Sequence, residues 1–377
     1  MNLLHEWYAA STSVLPDDLT VWDAHTHTGA NDPDGVVGEP GHLLRRLDQA
    51  GHAGCVLITS QEPDGYPPAN NRILAESEAA SGRFLPFLRV DPNLGRDAIV
   101  EAERCISLGF VGLKLHPRAE SFAVQHPTVT ELAGVASDAG IPILIHAGRG
   151  MPALGYHVVR LLDTHPDLNI ILAHAAISDL SWLAPVVDSY PGMFFDTAWW
   201  STAALIRLFS EVPASQILYA SDTPYGRPFM SGTLTSRVAG AAGYTDAAMR
   251  AVFGGNLLSL IAGVRPDRLA TMPDQSIVPD DPLLLSVYAD LHGAIGEVLQ
   301  SCDASQAMSL ARLACDVRDA HQHSEVLGAI AASLDRLGTM DRSRDHQSQV
   351  GRPLIAVASA ALTPSQPVPD VALWPDS

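Results

Sequence analysis

Basic residues, cysteines and long apolar runs are all scarce in this chain. Its 377 residues include 23 lysines and arginines against 42 aspartates and glutamates, so the formal net charge is −19. This charge repels nucleic acid and anionic membrane surfaces. No stretch approaches the roughly 20 consecutive apolar residues of a transmembrane helix. We therefore expect a small-molecule substrate, and neither nucleic acid nor a membrane as a partner.

The few cysteines and the first residues both favour a cytoplasmic protein. The four cysteines are Cys55, Cys105, Cys302 and Cys315. They have neither CxxC nor disulfide-framework spacing, so they are predicted to be reduced thiols. The first 15 residues lack a basic lead, and His5 and Glu6 interrupt their short apolar run, which is not typical of a signal peptide.

Short apolar segments alternate along the chain with longer segments of helical periodicity such as HLLRRLDQAG. The apolar segments are 21–29, 53–60, 84–92, 110–117, 141–148, 169–176, 192–199 and 216–224. Apolar strands that alternate with helices are typical of a parallel sheet covered by helices, and eight such units close into a barrel. The predicted fold class is α/β, a (β/α)8 TIM barrel with a C-terminal helical appendage.

The domain boundaries follow from changes in composition. Barrels of this kind use about 250 residues, so residues 1–265 are predicted to form the barrel. Residues 266–282 resemble a Pro-rich linker, 283–340 a helical appendage and 341–377 a Pro-rich tail. The appendage could pack on the barrel, cover its mouth or mediate a homodimer, and the sequence does not choose.

The segment VWDAHTHTG, Val21 to Gly29, carries polar residues where a buried strand would carry valines. Alternate residues of an extended chain share a face, so Asp23, His25 and His27 are predicted to point to one side. Two neighbouring imidazoles are typical metal ligands, but His-x-His alone is too short to decide.

Polar residues interrupt the far ends of four other predicted strands. They are Lys114 and His116, His146, His174, and Asp222. Each would be costly to bury without a partner. In a TIM barrel the carboxyl ends of the strands meet at one mouth, where active sites lie. We therefore expect these residues to share one site with the histidines of the first strand.

With this pattern the chain resembles the amidohydrolase superfamily, and in particular its amidohydrolase-related branch of hydrolases and non-oxidative decarboxylases. The resemblance spans Leu19 to Val264 and ends in FGGNLLSLI, which is similar to the closing helix of those barrels. In the family, His-x-His on strand one, a histidine on each of strands five and six, and an aspartate on strand eight bind metal. The resemblance therefore implies that this chain binds a divalent metal ion, zinc or manganese, as its cofactor.

The resemblance leaves the number of metal ions open. With one ion, the ligands would be His25, His27, His146 and Asp222, and His174 would bind water or substrate. With two ions, a carboxylated Lys114 would bridge them, and His146 and His174 would hold the second. The alternative for Lys114 is a cation paired with a nearby carboxylate. His116 shares its face and would contact substrate instead.

A divalent ion lowers the pKa of bound water to roughly neutral and polarises a carbonyl group. Asp222 is then predicted to accept the water proton and return it to the leaving group, while His174 steadies the carbonyl oxygen. Asp23, deeper in the strand, is predicted to orient an imidazole or another core cation.

Substrate recognition is encoded less clearly. The predicted substrate-binding residues are His116, Arg89, Arg149 and Tyr225. Arg118 and Arg227 also follow predicted strands, so arginines at one mouth favour an anionic substrate. Trp199 and Trp200 are candidates for an aromatic wall of the pocket.

The sequence is compatible with three functions. A metal-dependent hydrolase of an amide, lactone or ester is favoured, because the full ligand set and Asp222 are present. A non-oxidative, metal-dependent decarboxylase is the alternative, supported by the arginines at the mouth. A non-catalytic barrel used as a binding module is the third, and fold alone does not select a substrate.

Overall fold

Eight parallel strands form the centre of the structure, a computed structural model that describes residues 2–148, 150–269, 277–340 and 347–374. They are β1 (Trp22–Thr28), β2 (Gly54–Thr59), β3 (Phe84–Arg89), β4 (Gly112–Leu115), β5 (Ile143–Ile145), β6 (Ile170–Leu172), β7 (Met193–Asp196) and β8 (Ile217–Leu218). Each pairs in parallel with the next along the chain. All eight predicted strands are present, within the predicted segments.

The sheet closes on itself where the chain that follows β8 meets β1. The backbone N–H of Ala24 donates to Tyr219 O at 2.9 Å, and that of His27 donates to Thr223 O at 2.7 Å. In the other direction, Asp222 N donates to His25 O at 2.8 Å. The predicted TIM barrel is therefore confirmed, and the seam places the two histidines of β1 beside Asp222.

Helices alternate with the strands and cover the barrel. They are α1 (Leu3–Thr12), α2 (Pro40–Gln49), α3 (Pro67–Ala79), α4 (Arg96–Ser107), α5 (Pro127–Ala139), α6 (Gly155–Thr164), α7 (Leu180–Leu183), α8 (Thr202–Glu211), α9 (Pro228–Ala241), α10 (Asp246–Arg250) and α11 (Asn256–Ile261). Local sequence sets their ends: α5 starts with Pro127 and stops at Gly140, whose φ of +68° suits glycine. The Asn256 side chain, in the predicted closing helix, donates to Ala214 O and Ile217 O at 2.8 Å.

The apolar core has two layers because the barrel has two surfaces. Inward-facing residues such as Ala24, Ile58, Phe87 and Phe194 fill the barrel. A larger outer cluster lies between strands and helices and continues into the C-terminal helices. This continuity makes the C-terminal helices part of the folded body.

Four further helices follow the barrel. They are α12 (Pro282–Leu299), α13 (Ser305–Ala314), α14 (Ser324–Thr339) and α15 (Arg352–Leu362). The first three occupy the predicted helical appendage. The fourth lies within residues 341–377, for which the sequence indicated only a Pro-rich tail, and that prediction is wrong for this stretch. Its residues from Pro353 onward are all buried. The run RPLIAVASAAL packs against other helices only in the folded chain.

The two ends of the chain pack together on α9. Trp7 Nε1 on α1 donates to Ser333 Oγ on α14 at 3.1 Å, and Arg336 forms an ion pair with Glu6 at 2.6 Å. The fully buried Arg237 on α9 donates through Nε to Thr363 Oγ1 and through Nη2 to Thr363 O, both at 2.9 Å. The chain beyond α15 is thus anchored to the barrel through an arginine.

Within the described ranges, none of the helices combines the length and the apolar character that crossing a membrane requires. The four cysteines are all free, and only Cys302 is exposed.

Candidate metal centre

The first strand is irregular at the residues that were predicted to share a face. Its register with β2 shifts between Asp23 and Thr26. Trp22 and Ala24 pack into the barrel interior, whereas Asp23 lies beside Cys55 and Tyr219 of the outer cluster. The irregularity breaks the strict alternation, so the prediction that Asp23 shares a face with His25 and His27 is wrong.

The histidines of β1 and the aspartate after β8 form a compact group of possible metal ligands. His25, His27 and Asp222 each offer one ligand atom, and these atoms lie within 4.8 Å of one another. The two Nε2 atoms are 3.0 Å apart, and Asp222 Oδ1 is 3.3 Å from His27 Nε2 and 3.6 Å from His25 Nε2. Both imidazoles are buried, and burial lowers their pKa values, which favours the neutral form that binds metal.

Asp196 at the end of β7 orients His25, a role that the sequence had suggested for Asp23. Its Oδ2 lies 2.9 Å from His25 Nδ1, and its Oδ1 accepts hydrogen bonds from the backbone of His174 and Ala198. A proton on His25 Nδ1 leaves the lone pair on Nε2, which points into the ligand group. A carboxylate behind a ligating histidine is the usual support of a metal site, so the donor set fits a divalent ion.

Asp23 instead holds the backbone together at the barrel seam. Its Oδ1 accepts hydrogen bonds from His25 N at 3.1 Å and from Ser221 N at 2.9 Å. Complete burial raises the pKa of this carboxyl group to about 7.

Asp196, in GMFFDTAW, has the signal used for the other site residues, a polar side chain that ends an apolar strand. It could have been found in the sequence by that rule.

We expect Asp196→Asn to weaken binding of the divalent ion by roughly 10-fold to 100-fold, the usual effect of losing the partner of a metal-bound histidine. The amide retains an oxygen for the backbone donors but lacks the charge that holds the proton on His25 Nδ1. Titration of metal-free protein with zinc and manganese, followed by calorimetry, measures this change.

Asp179→Asn is the matched control. Asp179 is also a buried carboxylate that accepts backbone hydrogen bonds, from Leu154 and Gly155, but it does not line the cavity at the barrel mouth. Equal metal affinity in wild type and Asp196→Asn would contradict the supporting role of Asp196.

The histidines of strands five and six form a second pair beside the ligand group. His174 Nε2 lies 3.1 Å from His146 Nδ1, and His174 Nδ1 lies 2.7 Å from Ala198 O. The ring of His174 is 5.4 Å from that of His25, measured between centroids. His146 is therefore connected to the group of His25, His27 and Asp222 through its contact with His174. Among the described residues, His25, His27 and Asp222 are the set that meets the metal-ligand distances.

Both predicted strand-four residues lie at the same site. Lys114 is completely buried, and its Nζ is 2.9 Å from His25 Nε2. Burial lowers the pKa of Lys114 to about 7. The His116 ring stacks on that of His146 with centroids 4.0 Å apart, and its Nδ1 accepts a hydrogen bond from Ala119 N.

Arg89, predicted to bind substrate, is held by protein groups at the wall of the site. Its Nη2 contacts Glu120 Oε1 at 2.6 Å and its Nη1 donates to Thr59 O at 3.1 Å. The guanidinium also lies over the Tyr66 ring, 5.3 Å from its centroid. The sequence offered no signal for Glu120, because it lies on a loop rather than at the end of a strand.

The other predicted recognition residues are placed differently. Tyr225 lines the site and donates to Asp32 Oδ2 at 2.6 Å. Arg118 also lines it, whereas Arg227 donates to Pro224 O and Gly226 O nearby. Arg149 lies outside the described residues.

These groups surround a cavity of about 580 Å³ at the carboxyl ends of the strands. Its floor carries the histidines, Lys114 and Asp222, and Trp199, Trp200 and Met230 provide apolar surface. The C-terminal helices contribute Leu299, Gly351, Arg352 and Ile355. Of the predicted appendage, residues 283–340, Leu299 lies at the mouth, and the other three residues belong to the stretch 341–377 that was predicted as a tail.

The sequence of the barrel matches a known protein family. Residues 42–256 match the family model described as amidohydrolase. No curated protein matches the chain.

Several solved structures have a similar fold. They include 2,6-dihydroxybenzoate decarboxylase from Rhizobium, 19% identical with a TM-score of 0.52, and 5-carboxyvanillate decarboxylase from Sphingomonas paucimobilis, 16% identical with a TM-score of 0.51. A dihydroxybenzoic acid decarboxylase from Polaromonas, with bound manganese and an inhibitor, is 18% identical with a TM-score of 0.53. Each match covers 65% of this chain and 97–99% of the other. At such identity the likeness is one of fold, and about a third of this chain has no counterpart in them.

Proposed function

The chain belongs to the amidohydrolase family of metal-dependent enzymes, and from its site we propose that it is a decarboxylase of a small unsaturated or aromatic carboxylic acid. The observation that carries this proposal is the single group of His25, His27 and Asp222 among the described residues. That group provides for one divalent ion, manganese or zinc. One ion suffices to orient a carboxylic acid, whereas the full ligand set that favoured the hydrolase also included His146 and His174, which lie outside this group.

A divalent ion at this group would supply positive charge that orients substrate oxygens and stabilises negative charge developing in the transition state. The remaining steps, cleavage of the bond to the carboxylate and transfer of a proton, depend on side chains of the protein. The bond between the ring or vinyl carbon and the carboxylate breaks, its electron pair stays on carbon, and a proton forms the new C–H bond. Carbon dioxide leaves, and the enzyme regains its proton from solvent.

Asp222 is our candidate for the proton donor. Its side chain is 21% exposed and lines the cavity, and its Oδ1 is within 3.6 Å of both β1 histidines. We assign substrate orientation to His174, because it lines the cavity and Ala198 O, next to its Nδ1, fixes the direction of its ring. Proton transfer by a positioned side chain contributes roughly 10²-fold to 10⁴-fold to an enzymatic rate.

The similar structures give independent support. Those named above by their reaction are all decarboxylases, of dihydroxybenzoates and of 5-carboxyvanillate. One contains manganese and an aromatic inhibitor. Others carry only the family name amidohydrolase. These names favour the decarboxylase alternative over the hydrolase that the sequence alone favoured.

Hydrolysis remains the second candidate because of Lys114. Its Nζ lies 2.9 Å from His25 Nε2, where a carboxylated lysine would bridge two ions. With a second ion at His146 and His174, the site would support attack of water on an amide, lactone or ester. Two ions per chain by elemental analysis, together with a mass increase at Lys114, would favour this candidate.

We expect decarboxylation when the metal-loaded protein is supplied with small unsaturated and aromatic acids in ¹⁸O-labelled water. Carbon dioxide should be released and the organic product should contain no label, because the new bond is C–H. The same reaction in D₂O should place deuterium on the carbon that lost the carboxylate. Gas release and product mass are measured together.

Carboxylated lactones and amides serve as the comparison substrates in the same assay. Label entering their products without gas release would establish hydrolysis and overturn the proposal. Activity that survives complete removal of metal would contradict both candidates.

A further inference from the structure

The roof of the cavity is made by the C-terminal helices and not by the barrel. Leu299 at the end of α12, and Gly351, Arg352 and Ile355 around the start of α15, line the same cavity as the histidines. The barrel mouth therefore provides the chemistry at the floor, and the appendage faces the opposite part of a bound molecule.

The roof is held in place by contacts between its own helices and by a contact with α9 of the barrel. A methyl group added at Gly351 would lie 3.1 Å from Val298 Cγ1, so α12 and the start of α15 are in close contact. Beyond α15, the chain accepts hydrogen bonds from Arg237 through Thr363. The backbone that carries Arg352 is thereby held at one place above the cavity.

The cations that line the cavity are unevenly distributed. Lys114 lies beside His25 at the floor, and Arg89 is paired with Glu120 at the wall. Among the residues that the structure describes, Arg118 of the barrel and Arg352 of the roof also line the cavity. The chain has a formal net charge of −19, which repels anions, so an anionic ligand needs local cations.

Acidic groups also line the cavity, on the side of β1 and β8. Asp32 accepts a hydrogen bond from Tyr225, and Asp34 lies on the same exposed loop. Arg118 follows β4, and Gly150 after β5 is its neighbour. The barrel-derived arginine and these acids therefore lie on opposite sides of the barrel axis.

We propose that Arg352 binds a second acidic group of the substrate, so that the enzyme prefers flat molecules with two anionic substituents. This rests on the proposed function for the carboxylate at the floor. Trp199, Trp200 and Ile355 would contact the ring between the two ends. A guanidinium fork suits a carboxylate in geometry as well as charge. Arg352 is then a specificity-determining residue supplied by the part of the chain that lies beyond the family match.

The test measures binding to the full-length, metal-loaded protein without turnover. Benzoate is compared with isophthalate and terephthalate through quenching of tryptophan fluorescence, because Trp199 and Trp200 line the cavity. We expect wild type to bind one of the dicarboxylates at least roughly 10-fold more tightly than benzoate, the effect of one charge-assisted contact. Arg352→Gln should abolish that preference and leave benzoate affinity unchanged, and Arg352→Lys should restore part of it.

Arg312→Gln is the matched control, because Arg312 is also on the appendage but pairs with Asp335 at the surface. It removes the same charge and should keep the preference. The inference is overturned if wild type does not prefer a dicarboxylate, or if Arg352→Gln affects all ligands equally or none. Thermal melting of each variant separates a folding defect from lost recognition. Absence of carbon dioxide release with a preserved, Arg352-dependent preference would instead sink only the proposed function.

Discussion

Asp222→Asn is expected to lower kcat by roughly 10²-fold to 10⁴-fold, because it removes the carboxyl group that we place at the proton transfer. Asparagine has nearly the same shape, and it tolerates the left-handed backbone that Asp222 adopts, with φ of +55°. The hydrogen bonds of its backbone, from Asp222 N to His25 O and from Gly226 N to Asp222 O, are retained. Steady-state kinetics on the acid identified by carbon dioxide release measures the effect.

The comparison with His25→Ala separates proton transfer from metal binding. His25 belongs to the same ligand group, so its loss should empty the site, whereas Asp222→Asn should keep part of its metal because the amide oxygen is a weaker ligand. Metal content by elemental analysis is therefore measured on the samples used for kinetics. A near wild-type rate for Asp222→Asn would show that another group delivers the proton.

Arg237→Met is expected to lower the free energy of unfolding by about 2–4 kcal/mol, because it leaves buried acceptors without donors. Arg237 is completely buried, and burial lowers its pKa to about 9. Among the described residues it has no acidic partner. It donates instead to Thr363, Gln366 and Pro367 beyond α15, and it lies over the Trp7 ring at 5.5 Å from the centroid. Urea unfolding followed by circular dichroism measures the change.

Arg207→Met provides the control for removing an arginine. Arg207 pairs with Glu211 one turn away on the surface of α8, and exposed pairs of this kind contribute only about 0.3–0.5 kcal/mol. The same small shift in both variants would mean that Arg237 does not anchor the C-terminal segment. Arg237→Lys, which keeps a cation but loses the planar fork, should fall between the two.

The barrel and most of its mouth were predictable from the sequence because both depend on local patterns. Short apolar runs that alternate with helical segments predicted β1 to β8, and polar residues at the ends of these runs led to His25, His174 and Asp222. The same rule would have included Asp196. What failed was the assumption of regular geometry: the register of β1 with β2 shifts between Asp23 and Thr26, and the sequence of the strand alone contains no sign of this shift.

The roof was not predictable for a different reason. The run RPLIAVASAAL is apolar on all sides, so it has no amphipathic periodicity. It becomes a buried helix only because α9, α12 and α14 surround it. Likewise, nothing near Arg352 in the sequence indicates that this residue lines the same cavity as residues more than 200 positions earlier.

The anchored roof also determines when the conformational entropy of this site is lost. In enzymes closed by a mobile lid, ordering of the lid opposes each binding event. Here α15 is fixed by α12 and by the chain held at Arg237, so its ordering accompanies folding and is complete before a ligand arrives. This side of the site is preorganised, and the cavity volume of about 580 Å³ suits small molecules better than polymers.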